Sequence, residues 1–103
     1  MILHCVFCNF KDDVPARDRT AILHQLEQFC GTLDGVFGFE HGPNLDFEQK
    51  SPAYDAGFVI RFENVAALHA YAKHPDHVVL GTRLCSLCNG GADGLMVFDL
   101  QLP

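Results

Sequence analysis

The amino-acid sequence predicts an α+β fold in which one antiparallel sheet packs against helices. Three observations support this class: four segments alternate as strands do, three segments have helical periodicity, and the helical segments follow the first and third strands. Hydrophobic residues make up 49% of the chain and charged residues 19%, as is typical of a globular domain. We therefore expect one domain that spans residues 1–103.

The first half of the chain predicts a strand, a helix and a second strand. Residues 2–10 place apolar side chains on both faces of an extended segment. Pro15 suits the first position of a helix that ends near Gly31 and buries a stripe containing Leu26. Residues 35–42 predict the second strand, and the long loop after it is typical of a functional cover.

The second half predicts a strand, an interrupted helix and a last strand. Residues 53–62 are the clearest strand, and a helix capped by Asn64 follows. Pro75 interrupts this helix because it disfavours helical geometry in the preceding residue, so a new helical piece runs over 76–88. Residues 95–102 complete the order β-α-β-β-α-β, which predicts a ferredoxin-like sandwich.

The predicted strands are apolar on both faces, although the helices can cover only one. A solvated face of an antiparallel sheet should carry polar residues, and a bare apolar patch usually marks an interface. We therefore expect a two-fold homodimer packed sheet to sheet, the alternative being a monomer whose loops or termini cover this face. The apolar residues expected on it are Leu3, Cys5, Phe7, Val59, Met96, Phe98 and Leu100.

Charge and composition argue against several classes of binding partner and several cellular locations. The net charge of -6 argues against nucleic acid and anionic membranes, because both select basic surfaces. No apolar run has the length of a membrane helix, and the N-terminal MILHCVFC lacks the features of a signal peptide. Five cysteines fit reduced thiols better than a disulfide framework. These features predict a cytoplasmic protein.

Two Cys-x-x-Cys pairs have the spacing of half zinc sites, but their contexts argue against a metal. Cys5 and Cys8 lie on a strand, where residues three apart point to opposite faces. Cys85 and Cys88 lie at a helix C-terminus, where the dipole disfavours a thiolate. Cys8 and Cys88 can still meet between sheet and helix, and the simpler interpretation is that they fill space. We expect no metal site.

The stretch YAKHPDH, Tyr71 to His77, is the strongest candidate for chemistry. Helical projection places His77 on the buried stripe of its helix and Tyr71 on the inward side of the preceding one. Strand alternation places His4 and Asp99 on the side of the sheet that faces the helices. The sequence therefore predicts an apolar compartment with a few converging polar groups, the usual form of a small-molecule site.

Further residues are expected to line this pocket, most of them apolar side chains of the inward strand faces and of the first helix. They are Val6, Leu26, Phe58, Ile60, His74, Leu95 and Val97. His74 precedes a proline, so the alternative for it is a cap on backbone carbonyls at the helix break.

The polar groups of the compartment allow general acid–base catalysis. An imidazole with a pKa of about 6.5 can accept or donate a proton. A tyrosine hydroxyl can donate a hydrogen bond to a carbonyl on which charge develops. The alternative is that His77 is a satisfied core residue without a chemical role.

Three segments resemble the stress-responsive A/B barrel domain family, Dabb. They are ILHCVFCNFKDDV, GFEHGPNLDFEQKSPAYDAGFVIRFE and LHAYAKHPDHVVLG, and the likeness extends over residues 2–100. The resemblance implies a ferredoxin-like fold and a dimer whose two sheets form a barrel. It also implies, from the polyketide cyclases of the family, catalytic roles for Tyr71 and His77, with His4 and Asp99 beside them.

Those cyclases use no metal or organic cofactor, so the resemblance implies none here. Their aromatic residues on the first helix are replaced by aliphatic ones such as Leu26, which leaves the substrate open. One function class is thus a cofactor-free enzyme acting on a small hydrophobic metabolite, by cyclase-like or monooxygenase-like chemistry. The other is a non-catalytic, stress-responsive binding or protective protein.

Overall fold

A computed structural model describes residues 1–103 and shows four strands in one antiparallel sheet, with three helices packed on one face. The strands are β1 Ile2–Cys8, β2 Val36–Pro43, β3 Ala56–Phe62 and β4 Leu95–Gln101. The helices are α1 Ala16–Cys30, α2 Val65–Lys73 and α3 Pro75–Ser86, and a 3-10 turn at Gly91–Gly94 leads into β4. This architecture confirms the predicted ferredoxin-like α+β sandwich.

The sheet has the order β2-β3-β1-β4, so β1 is central and β4 is an edge strand. In the register, His4 lies opposite both Ile60 and Asp99, and Val6 lies opposite both Phe58 and Val97. Directly opposite residues share a face of the sheet, which places these side chains on the helix side, as predicted.

The buried stripe of α1 consists of Ile22, Leu23, Leu26, Phe29 and Cys30, in agreement with its periodicity. Pro15 precedes α1 in extended geometry, so the helix starts one residue later than the proline rule predicts. Asn64 caps α2 as predicted, its side-chain oxygen accepting a hydrogen bond from the Ala67 amide at 2.9 Å.

The break between α2 and α3 falls at His74, whose backbone is extended, and α3 begins at Pro75. The His74 ring Nδ1 accepts a hydrogen bond from the Asp76 amide at 3.1 Å. We expected His74, as the alternative to a pocket role, to cap backbone carbonyls at the break. It is a cap, but it accepts from an N–H group at the start of α3 and does not bond a carbonyl.

The opposite face of the sheet is apolar and largely uncovered. Met96, Phe98 and Leu100 of β4 are exposed, Phe98 and Leu100 by 50% and 52%, while Leu3, Cys5, Phe7 and Val59 are half-buried. We call this surface the outer face. Gly57 allows Phe7 to lie flat on it, because a Cβ at position 57 would stand 2.6 Å from the Phe7 ring.

The loop from Asn44 to Asp55, which the sequence suggests as a functional cover, does not line the helix-side cavity. It lies at one end of the outer face, where Asn44, Lys50 and Tyr54 contribute to a groove. None of the helices is long and apolar enough to cross a bilayer.

Candidate active site

A cavity of about 240 Å³ lies between the sheet and α3. It brings together most of the residues that the sequence nominates, which are His4, Val6, Leu26, Phe58, Tyr71, His77, Leu95 and Val97. Gly81, Leu84 and Cys85 of α3 complete the wall and were not among the predicted lining residues. They follow His77 by four, seven and eight positions, so the helical period was the signal that could have added them.

His77 presents a free ring nitrogen at the cavity wall. Its Nδ1 lies 3.1 Å from the carbonyl oxygen of Ala72. Because a carbonyl only accepts, Nδ1 must donate, and the proton of the neutral ring sits there. Nε2 makes no hydrogen bond within the protein and lies beside Gly81, where a Cβ would stand 4.0 Å away. This arrangement leaves the Nε2 lone pair available to a ligand.

Burial is the main cause that lowers the pKa of His77, and the nearby imidazoles of His4 and His74 lower it further. The hydrogen bond to Ala72 works in the opposite direction and does not cancel the effect of burial. The neutral form of the ring, which is the form that can act as a base, is therefore favoured near neutral pH.

Tyr71 packs beside His77, with 4.3 Å between the two ring centroids. Its side chain is 3% exposed and its ring contacts Phe62 and Phe29 at centroid distances of 5.2 and 6.0 Å. The Tyr71 hydroxyl bonds no protein group and is not among the fully buried oxygens, and the Tyr71 side chain lines the cavity. Burial raises the pKa of the phenol, which therefore keeps its proton and can donate it in a hydrogen bond.

His4 and Asp99 form a pair across β1 and β4. The Nδ1 of His4 lies 2.5 Å from Oδ1 of Asp99, and the His4 ring centroid lies 5.7 Å from that of Tyr71. The carboxylate accepts from Nδ1 and fixes the ring, which leaves Nε2 of His4 without a protein partner. Asp99 itself lies behind His4 at the sheet edge and does not line the cavity.

Two further nominated residues lie outside the wall. Ile60 is fully buried in the core behind it, and His74 packs on Phe29, with ring centroids 4.9 Å apart, while it caps α3. Alternation along a strand gives the side on which Ile60 lies, but it does not tell a wall residue from one sealed beneath the wall.

The cysteines are all free. Cys8 and Cys88 are buried against each other. The hydrogen bond between the two thiols is the largest cause that raises the pKa of Cys8, and burial is the second. Cys85 is half-buried in the cavity wall. No group of three or more His, Cys, Asp or Glu side chains has the arrangement of a metal site.

Fold and cavity together define a ferredoxin-like α+β protein with polar groups converging on an apolar pocket. The stress responsive A/B barrel domain (Dabb) matches residues 2–102, and the chain belongs to this family. A search among curated proteins found no match.

Solved structures show the same fold. A dimeric ferredoxin-like protein of unknown function from Jannaschia sp. CCS1 is 39% identical, with a TM-score of 0.91 and 98% of each chain covered. A Dabb family protein from Mesorhizobium loti is 22% identical, with a TM-score of 0.77, covering 99% of this chain and 96% of that one. A hydroxynitrile lyase from Passiflora edulis is 12% identical, with a TM-score of 0.84 and coverage of 99% and 93%. The last two likenesses concern the fold alone.

Proposed function

We propose that this Dabb protein is a cofactor-free acid–base enzyme that acts on a small hydrophobic metabolite. The observation that carries the proposal is that His77 and Tyr71 lie ring beside ring in the lining of an apolar cavity, and that Nε2 of His77 and the Tyr71 hydroxyl bond no protein group. A volume of about 240 Å³ is below the usual range for drug-sized ligands, which points to a small substrate.

In this proposal His77 is the general base. Ala72 holds the proton on Nδ1, so Nε2 can take a proton from a bound molecule, and the lowered pKa keeps that nitrogen unprotonated near neutral pH. Tyr71 donates a hydrogen bond to a substrate carbonyl and stabilises the negative charge that develops there. The substrate class is therefore a small carbonyl compound with a removable proton.

His4 supplies the third polar contact. Asp99 fixes its ring, so its free Nε2 can bind a hydroxyl of the substrate and orient the molecule between His4 and Tyr71. The polyketide cyclases of the family, which the sequence resembles in this motif, support these assignments. The Passiflora hydroxynitrile lyase adds only that an enzyme has this fold.

The test is turnover of a panel of small carbonyl metabolites by the parent, His77→Ala and Tyr71→Phe. We expect losses on the order of 10² or more for His77→Ala and smaller losses for Tyr71→Phe, as is usual for a general base and a single hydrogen-bond donor. His69→Ala, at an exposed position of α2, is the matched control. Unchanged rates in both site variants would refute the catalytic proposal.

The second candidate is a non-catalytic binding protein. It is favoured by the aliphatic contribution of α1 to the cavity, where Leu26 offers no aromatic surface for stacking a ring product. In that case ligands from the panel bind and none is converted, and His77→Ala changes affinity alone.

We also propose that the protein acts as a homodimer paired through the outer face. The exposed Phe98 and Leu100 support this, since a bare apolar surface of this kind is typical of an interface. The related Jannaschia protein is described as dimeric. A cytoplasmic location belongs to the same proposal, and the five free thiols suit a reducing compartment.

A further inference from the structure

The loop between β2 and β3 holds two large apolar side chains in solvent. Phe47 is 94% exposed and Leu45 is 86% exposed, more than any other large hydrophobic residue of the chain. Burial of a phenylalanine side chain stabilises a protein, and a side chain left in water does not contribute this free energy. The exposed tip of this loop, at Leu45 and Phe47, therefore suggests that a partner covers it.

The tip of the loop is held by hydrogen bonds between the loop's own residues. One carboxylate oxygen of Asp46 accepts hydrogen bonds from the amides of Lys50 and Ser51 at 2.9 and 2.8 Å, and from the Ser51 hydroxyl at 3.0 Å. The Asn44 side chain donates to the Ser51 hydroxyl and to the Tyr54 carbonyl. Asp46 and Gln49 have φ of 47° and 56°, in the left-handed region that side chains rarely adopt. This network holds Phe47 away from its own core.

A groove of about 210 Å³ lies at the base of the same loop. Its floor is made by three apolar side chains of the outer face, Phe7, Met96 and Phe98, and its side by Asn44, Lys50 and Tyr54 of the loop. The molecule thus places a projecting phenylalanine next to an apolar groove that is continuous with an unpaired apolar sheet face.

We propose that the loop is a docking arm, and that Phe47 of each protomer inserts into this groove of the second copy. The inference rests on the proposed homodimer and adds to it the contact that fixes its register. A two-fold interface uses the same patch on both partners, so a projection and a groove on one patch satisfy each other twice. The continuity of the groove with the outer face argues for a second copy as the occupant, and so does the dimer of the 39% identical relative.

The first test is sedimentation equilibrium of the parent, Phe47→Ser and Phe37→Ser. Phe37 is the matched control because it is 59% exposed and lies beside Glu27 and Cys30 on the helix side. We expect Phe47→Ser to raise the dimer dissociation constant at least tenfold, as loss of an interface anchor does, and Phe37→Ser to leave it unchanged. Because Phe47 makes little contact within its own chain, the variant should fold like the parent in circular dichroism.

The second test replaces Phe47 with a benzophenone amino acid and irradiates a mixture of two differently tagged copies. We expect a cross-link between the copies, on the peptide that carries the partner's Phe98. Cross-links within one chain alone, or an unchanged dissociation constant for Phe47→Ser, would overturn the docking arm. If Phe98→Glu dissociates the dimer while Phe47→Ser does not, the arm is wrong and the sheet pairing stands. A monomeric parent overturns both.

Discussion

At the scale of single residues, His77 links the chemistry of the cavity to pH. Burial lowers its pKa in the folded protein below the ordinary value of 6.5. Between the folded and the unfolded pKa, the unfolded chain binds more protons, so the free energy of unfolding falls as the pH drops below about 6.5. The folded ring takes up its proton only at a still lower pH, and that protonation removes the proposed base.

We therefore predict that the parent loses thermal stability between about pH 7.5 and pH 5.5, and that His77→Asn loses less. Asparagine keeps a short side chain with an N–H donor and removes the titrating ring. Melting temperatures of both proteins across this range measure the difference, with His69→Asn as the control at an exposed position. Identical pH responses of parent and His77→Asn would show that burial does not perturb the ring.

Gly81 gives a prediction in which stability and function separate. An alanine there would place its methyl group 4.0 Å from Nε2 of His77, an ordinary contact that narrows the cavity without a clash. A helix-interior glycine is less favourable than alanine by about 0.5–1 kcal/mol. We expect Gly81→Ala to melt higher and to bind or convert panel ligands more weakly, as measured by thermal denaturation and the metabolite assay.

Thr82→Ala is the matched control for this substitution, since Thr82 is exposed and the same helix gains an alanine. Its ligand response should equal that of the parent. Weakened binding in Thr82→Ala as well would mean that helix stiffness, and not cavity space, is responsible.

The site residues illustrate what a sequence discloses at this scale. Periodicity was enough to bring His77, Tyr71 and His4 to one compartment, because helix and strand geometry fix the direction of each side chain. It did not give the hydrogen bond from His77 to Ala72, which depends on how α3 turns after the break. It also counted Ile60 as lining, because whether a side chain borders a void or fills one depends on the volumes of all its neighbours.

At the scale of elements, the junction of α2 and α3 is fixed by His74 rather than by proline alone. Its ring accepts from the Asp76 amide, which otherwise has no helical partner. Loss of a side-chain N-cap costs about 1 kcal/mol. We predict that His74→Ala lowers the free energy of unfolding by this amount in urea titrations and that His74→Ser, which can also cap, restores most of it.

Both His74 variants should retain the parent's activity per folded molecule, because His74 does not line the cavity. Equal stability of all three proteins together with lost turnover would instead return His74 to the site.

The elements deviate from their sequence predictions mainly at their ends. β1 was expected to reach residue 10 but ends at Cys8, and Phe10 forms a single bridge with Cys88. β3 begins at Ala56 because the chain before it is held in a turn, where the Asp55 carboxylate accepts from the Phe10 amide at 2.9 Å. Such ends are decided by contacts with distant residues, which local periodicity does not contain.

At the scale of the whole molecule, the outer face governs assembly and stability together. If folded copies pair and unfolded copies do not, association stabilises the native state. The melting temperature must then rise with protein concentration. We predict such a rise over a hundredfold dilution series of the parent, and its disappearance in Phe98→Glu, which buries a charge in the proposed interface.

Sedimentation of the same samples should show a dimer for the parent and a monomer for Phe98→Glu. Glu63→Gln, an exposed change beyond the end of β3, is a control that should leave both measurements unchanged. A parent that melts at one temperature throughout and sediments as a monomer would contradict the pairing of sheets.

The overall architecture followed from the sequence because element order and alternation determine which strands can pair and which faces are apolar. Because the strands are apolar on both faces, the sequence also predicted the apolar outer face on which Met96, Phe98 and Leu100 are exposed. The position of the β2–β3 loop was not foreseen, because its path depends on the Asn44–Asp46 network and on two left-handed residues that composition alone does not reveal.

Two accessible thiols allow chemical labelling to test both the ligand-binding cavity and the dimer in the native protein. Cys85 borders the cavity and Cys5 lies on the outer face, whereas Cys8, Cys30 and Cys88 are shielded in the core. A small alkylating reagent should therefore label two positions of a free, unpaired chain, and mass spectrometry can tell them apart. Protection of Cys85 would report an occupant of the pocket, and protection of Cys5 would report a neighbouring copy, each without altering the sequence.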